Sequence, residues 1–379
     1  MISRHFLRAK VLQLAYAAYV DPTINADVVV AEKNYKHHIA RLNDLGTTQL
    51  SMLEHFAEVA AVMMEEAQHK FLPTEADRNP NYRLPNNRLI RKLADNYDYR
   101  QHVKEAAVNW GGVEYDEIFR QAYAEMVRMP FYQEYLKSDD DFLQDKEFAL
   151  KLFKYLVNYP QLCEAIYPQS LFWEDDFDQI AQYEFKMLKA LDETFDEASV
   201  VTLVCDPRDE ADAEAYDFGR LLLINTLRHR EEVEEMIRKN LQGWEFDRVA
   251  GMDILLINMA VAELTECPSI PERVTVDEYI ELSKEFSTER SRLFINGILA
   301  KLLLILRSAG RIKKTGRGIS AFGENDDEES GDRPDSMDGV YGVPSDEEPV
   351  PVVTVRKSRP RIRREGEPFG QKLDKLEEN

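Results

Sequence analysis

One acid and one imidazole in this chain stand at the spacing of a metal-binding helix. Glu66 and His69 are three residues apart, with Glu54, Glu58 and Glu65 on the same expected helix. A carboxylate-bridged metal bundle needs two Glu-x-x-His motifs and two further glutamates on facing helices. No other histidine completes a second motif. The glutamates therefore read as a solvated helix face, with no metal and no cofactor expected. Phosphate-cradling glycine loops are missing, as are the GxSxG elbow and the HExxH zinc motif. Cys163, Cys205 and Cys267 lack the paired spacing of a zinc site or a disulfide framework. No catalytic constellation stands out, and an enzyme is not the expectation.

The basic residues at the start are more informative. Arg4 and Arg8 are four apart and project from one side of a helix, flanked by His5 and Lys10. A helix N-terminus favours anions, so a basic first turn sits against the dipole and fits an anionic partner. The whole chain carries a formal charge of -22 over 379 residues. A broad basic face that coats duplex is excluded, and any nucleic-acid contact must come from a small local patch.

The elements that would position these side chains read as helix after helix. Apolar residues recur at helical spacing from Leu7 through Val11, Leu14, Ala15 and Ala18. The same period runs from Gln49 to His69, from Asp247 to Glu266, and through Phe294, Ile298, Leu299 and Leu302. Ser199–Cys205 is β-branched but isolated, and reads as an extended connector. Pro73–Asn86 is a polar loop. From Arg311 to Asn379 the chain turns charged and rich in glycine and proline, with no apolar period. Such a segment cannot offset its chain entropy and is expected to be a disordered tail. The apolar stretch Leu293–Leu306 is too short to span a bilayer, and no cleavable leader pattern opens the chain. A soluble cytoplasmic protein follows as the expectation.

An internal repeat lies in the middle. Displacing the chain by 71 positions lays Leu150–Leu191 on Leu221–Ala262, pairing Leu156 with Leu227, Ile166 with Ile237 and Trp173 with Trp244. The unit reads as helix, short helix, tryptophan turn, helix, with both indoles expected as core anchors. The second copy continues in an apolar helix and the first in a polar one, so only the second is expected to keep the original role.

The segment from Trp244 to Ala300 carries a further pattern: Asp247-Arg248, Asp253, Ala262-Glu263-Leu264, Ile270-Pro271, Glu281-Leu282, Lys284, Phe286 and Phe294-Ile295-Asn296-Gly297. This order resembles the bacterial transcription antitermination factor NusB family, and Arg8 with Gln13 and Tyr16 resembles its basic first helix. The resemblance implies an all-α bundle of NusB type, enlarged by an inserted and partly duplicated helical module. It divides the chain into a basic helix at 1–20, an insertion at 21–210 with the degenerate repeat at about 146–195, a NusB-like domain at 211–310 and the tail at 311–379. It further implies antitermination by binding boxA-type single-stranded ribosomal RNA leader with ribosomal protein S10 (NusE). That pair would act in the RNA polymerase complex with NusA and NusG. The alternative keeps the fold and serves rRNA processing or ribosome assembly.

The resemblance assigns RNA contacts to Arg4, Arg8, Lys10, Arg290, Arg292 and Phe294. Phe294 also lies on an apolar face and could be core. Asp253 is expected to face the partner; Asp247 either faces it or caps a helix. Asn296-Gly297 is expected to be structural, the glycine allowing a close helix approach.

Overall fold

The computed structural model describes residues 2–21, 27–170, 173–206, 208–241 and 245–319. Among them there is helix and loop but no strand. Their contacts divide into two compact units. One joins the described residues up to 37 with those from 208 to 319; the other is residues 38–206. No described helix is long and apolar enough to cross a membrane.

In the first unit, α1 (Arg4–Val20) opens under Ser3, whose Oγ accepts the Phe6 N–H at 3.2 Å. Its apolar side, Leu7, Val11, Leu12, Leu14 and Ala15, is buried. It packs on α11 (Glu210–Arg228) and α13 (Gly251–Glu266). The α13 sequence GMDILLINMAVAELTE is apolar nearly all round, and residues 253–264 are buried throughout, which makes it the central helix of this unit. Around it stand α12 (Arg230–Asn240), α14 (Glu272–Phe286) and α15 (Glu289–Ser308). Gly310, at φ +64°, ends α15 in the left-handed region, its N–H bonded to Arg307 O and that of Arg311 to Leu306 O. The expected tail therefore begins with packed residues. Arg311 pairs with Glu232, Lys314 Nζ donates to Cys267 O at 3.0 Å, and the Thr315 N–H donates to Pro268 O. The remainder of the expected tail, from residue 320, lies outside the described residues.

The long helix α2 (Val28–Gln68) has 41 residues, twenty-one more N-terminal residues than the expected start at Gln49. Its first part, to His37, belongs to the first unit and the remainder to the second. The second unit continues through α3 (Glu75–Arg78), α4 (Arg88–Asp95), α5 (Tyr97–Glu105), α6 (Val113–Met126), α7 (Pro130–Tyr135), α8 (Phe142–Leu156), α9 (Pro160–Ile166) and α10 (Trp173–Ala190). Within the expected polar loop, Thr74 and Asp77 form a capping box that starts α3. Ser199–Cys205 is a strandless connector, with Val201, Val204 and Cys205 buried.

The two repeat copies agree in their first two helices. A shift of 71 carries α8 into α11 and α9 into α12. They then part: Trp173 is the first residue of α10, whereas the counterparts of the next residues form a 3-10 turn at Phe246–Arg248 before α13 begins. Trp173 is buried and its Nε1 donates to Arg41 O at 3.0 Å. Trp244 lies outside the described residues. Glu66 and His69 do not converge: Glu66 accepts two bonds from Arg120, and the His69 ring bonds Glu65 O at the end of α2.

In the interior of the second unit, the Oε2 of Glu184 has no hydrogen-bond partner. Glu184 of α10 is 2% exposed and packs against Gly46 of α2, where an added Cβ would fall 2.2 Å from Glu184 Oε1. Burial away from water penalises its charged form and pushes it up to about 8. An ordinary glutamate titrates near 4.5, so between that value and 8 the unfolded chain has shed a proton the folded chain keeps. Stability should therefore fall as pH rises through this window and level off above it. Glu184→Gln should remove the dependence and stabilise the unit by roughly 4–5 kcal/mol at pH 8.5, with little change near pH 4. Urea unfolding at the two pH values checks this; a variant no more stable than the parent at pH 8.5 would refute it.

Candidate functional site

The residues singled out in the sequence divide sharply by exposure. Arg8 is 2% exposed and Glu263 is fully buried. Arg8 Nε donates to Glu263 Oε2 and Nη2 to Oε1, each at 2.7 Å, and Nη1 lies 3.1 Å from Glu278 Oε2. Glu263 also accepts from Thr275 Oγ1 at 2.9 Å and from the Tyr279 hydroxyl at 3.1 Å. The guanidinium lies over the Phe218 ring, 5.2 Å from its centre. Burial works against the Arg8 charge, but the hydrogen bond and field of Glu263, with Tyr279 and Glu278, outweigh it and raise its pKa. Burial and the facing carboxylate together hold the Tyr279 phenol protonated. The same acid, with burial first, pushes the Cys267 thiol up to about 12.

This arrangement corrects the expectation for Arg8. Its fork is filled by carboxylates inside the helix cluster, and it is a structural ion pair with no face open to a phosphate. Lys10 differs from expectation in the same way. It is 2% exposed, lies over the Phe6 ring, and its Nζ donates to Gln13 Oε1 at 2.9 Å. Arg4 is partly exposed and pairs with Glu214 at 2.7 Å. His5 bridges Glu278 at 2.8 Å and Glu285 at 3.4 Å, which ties the first turn of α1 beside the end of α14.

Three residues beyond Glu285, Thr288 caps α15, its Oγ1 accepting the Ser291 N–H at 3.2 Å. Arg290 is exposed in the first turn of α15, and Arg292 is half-buried. Neither side chain has an ion pair or hydrogen bond among the described residues. Phe294 is half-buried one position before the buried Ile295. Gly297 is not at a close helix contact: an added Cβ would meet nothing within 4 Å. Its open side belongs to a surface stripe with Leu293, 57% exposed, and Leu304, 65% exposed.

Asp253 departs from its expected partner-facing place. It is 5% exposed in the first turn of α13, and Ser287 Oγ donates to it at 2.5 Å. Burial raises its pKa, and the hydroxyls of Ser287 and Ser291 hold the rise back. Asp253 thus fixes the turn between α14 and α15 on which Arg290 stands. Asp247 is exposed in the 3-10 turn and caps no helix; the residue preceding α13 is Ala250.

Sequence reasoning missed the acceptors of Arg8. The signal was present in Glu263, a carboxylate inside an otherwise apolar helix, which requires a buried partner.

The family model described as NusB family matches residues 177–303. The match starts within α10, in the second unit, and runs to near the end of α15. The Transcription antitermination protein NusB of Salinibacter ruber is 42% identical over 123 residues, 32% of this chain and 76% of that protein. Its namesake in Chloroherpeton thalassium is 30% identical over 142 residues, 37% of this chain and 67% of that one. That of Symbiobacterium thermophilum is 36% identical over 101 residues, 27% of this chain and 66% of that one. No solved structure matches the chain.

Removing one partner of a buried pair leaves the other charge stranded. Glu263→Gln should therefore destabilise the protein by roughly 3–5 kcal/mol, and Arg8→Ala by a similar amount. Thermal unfolding of both variants provides the check. A loss below about 1 kcal/mol, the range of a surface ion pair, would contradict the structural role.

Proposed function

Because the chain belongs to the NusB family, we propose that it acts as a transcription antitermination factor. It binds boxA-type single-stranded leader RNA of ribosomal transcripts together with ribosomal protein S10 (NusE). The pair joins the RNA polymerase complex that also holds NusA and NusG. The observation that carries this reading is the overlap with proteins named Transcription antitermination protein NusB, one of them across 76% of its length.

The local chemistry supports the same reading. Single-stranded RNA is held by cations on phosphates and by flat rings beneath splayed bases. Arg290 and Arg292, free of carboxylate partners among the described residues, supply the cations, and the half-buried Phe294 follows on the same helix. Arg4 joins them only by giving up Glu214. A chain charge of -22 suits a basic ribosomal protein as partner and suppresses indiscriminate RNA coating. The exposed Asp247 is the partner contact in this reading; Asp253 acts indirectly, by holding the turn that carries Arg290.

Arg290→Ala with Arg292→Ala should weaken binding to a boxA-like oligonucleotide by roughly 1–3 kcal/mol and make the salt slope shallower by about 1.4. The fold should be unaffected, since both side chains lie outside the buried network. Titration with and without S10, at several salt concentrations, measures it. An unchanged affinity and slope would remove the first turn of α15 from the RNA site.

A further inference from the structure

The helix α15 buries one side and leaves the other bare. Ile295, Ile298, Leu299, Leu302 and Leu306 are buried on the side that meets α12, α13 and α14. Opposite them stand Leu293, 57% exposed, the half-buried Gly297 and Ala300, and Leu304, 65% exposed. They follow one another at intervals of four, three and four residues, the spacing at which one seam of a helix faces a second helix. Arg290 stands three residues before the seam and Arg307 three residues after it.

The order along this seam is palindromic: arginine, leucine, small residue, small residue, leucine, arginine. A two-fold axis between Ile298 and Leu299 lays the helix antiparallel on a second copy of itself. Leu293 then meets the partner's Leu304, Gly297 meets the partner's Ala300, and symmetry repeats each contact. Small residues at the centre let the helix axes approach to about 8 Å, and the leucines close over both ends. The room at Gly297 is on the outside, since an added Cβ would meet nothing of its own chain within 4 Å. The ends also complement each other in charge. Arg290 has no ion pair or hydrogen bond among the described residues. At the far end of the seam, Glu272 accepts both Arg307 bonds on Oε2, which leaves its Oε1 without a described bond. Antiparallel pairing brings each Arg290 to the partner's Arg307–Glu272 pair, where that oxygen answers it. A chemically unrelated partner would give no reason for the two ends of the seam to match.

We infer that the outer face of α15 is a self-association surface, on which two copies of this chain pack antiparallel through Leu293, Gly297, Ala300 and Leu304. The contact is one helix against one helix and falls below the roughly 1,200 Å² of a stable interface, so the dimer forms reversibly and with rising concentration. It requires nothing of the RNA reading and stands or falls without it.

Sedimentation velocity of the full chain, without RNA, should show a monomer–dimer equilibrium with a dissociation constant of roughly 10–100 μM. Gly297→Leu touches nothing within its own chain and replaces a glycine inside a helix, so thermal unfolding should stay where it is or move up. The added side chain holds the two helices apart, and dimerisation should weaken about tenfold or more. Orientation is read by cross-linking. The native cysteines are all buried, so a thiol introduced on this face is the accessible one. Chains with Leu293→Cys mixed with chains with Leu304→Cys should form disulfide-linked dimers under mild oxidation faster than either variant does alone. A chain that sediments as a monomer into the high micromolar range overturns the inference. So does a dimer untouched by Gly297→Leu, or cross-linking no faster in the mixture than in the separate variants.

Discussion

A charge removed from water must be answered by another, and in this protein Arg8 and Glu263 answer each other across 255 positions of sequence. The pair is bidentate, and the spare capacity of the carboxylate is taken by Thr275 and Tyr279. Four helices therefore meet at one acid: α1 brings the arginine, α13 the glutamate, α14 the two hydroxyls and Glu278, and α11 the Phe218 ring beneath the cation. Apolar packing alone would let α1 slide or rotate against its neighbours at small cost. A fork that must find two oxygens at 2.7 Å does not permit this. The position of His5 beside α14, and that of Arg4 beside Glu214, follow from it.

The rest of the site is governed by the same accounting of charge. Asp253, the other buried acid in the apolar α13, is answered by Ser287, and this bond holds the turn into α15. Arg290 and Arg292, in the first turn of that helix, carry no ion pair among the described residues.

The helical architecture was legible in the sequence because the apolar period is local. Burial of the long apolar run in α13, the core place of Trp173 and the strandless connector at 199–205 followed from patterns of a few residues. The roles of Arg8, Lys10 and Asp253 were not legible in this way. A charged side chain on a basic first turn looks alike whether it faces solvent or a carboxylate 255 positions later. Gly297 misled for a related reason: absence of a side chain is compatible with a close neighbour or with none. The packed residues 311–319 were hidden too, since they are held by backbone acceptors at Cys267 and Pro268 that leave no trace in residue type.

The distance along the chain between Arg8 and Glu263 is also an interval of time. At a synthesis rate of about 5–20 residues per second, α1 leaves the ribosome some ten to fifty seconds before its carboxylate exists. Throughout that interval its apolar side has no central helix to cover it, while the contiguous residues 38–206 already contain everything their own unit requires. The chain must complete its middle before its beginning. The helix α1, made well before α13, is among the last to be secured.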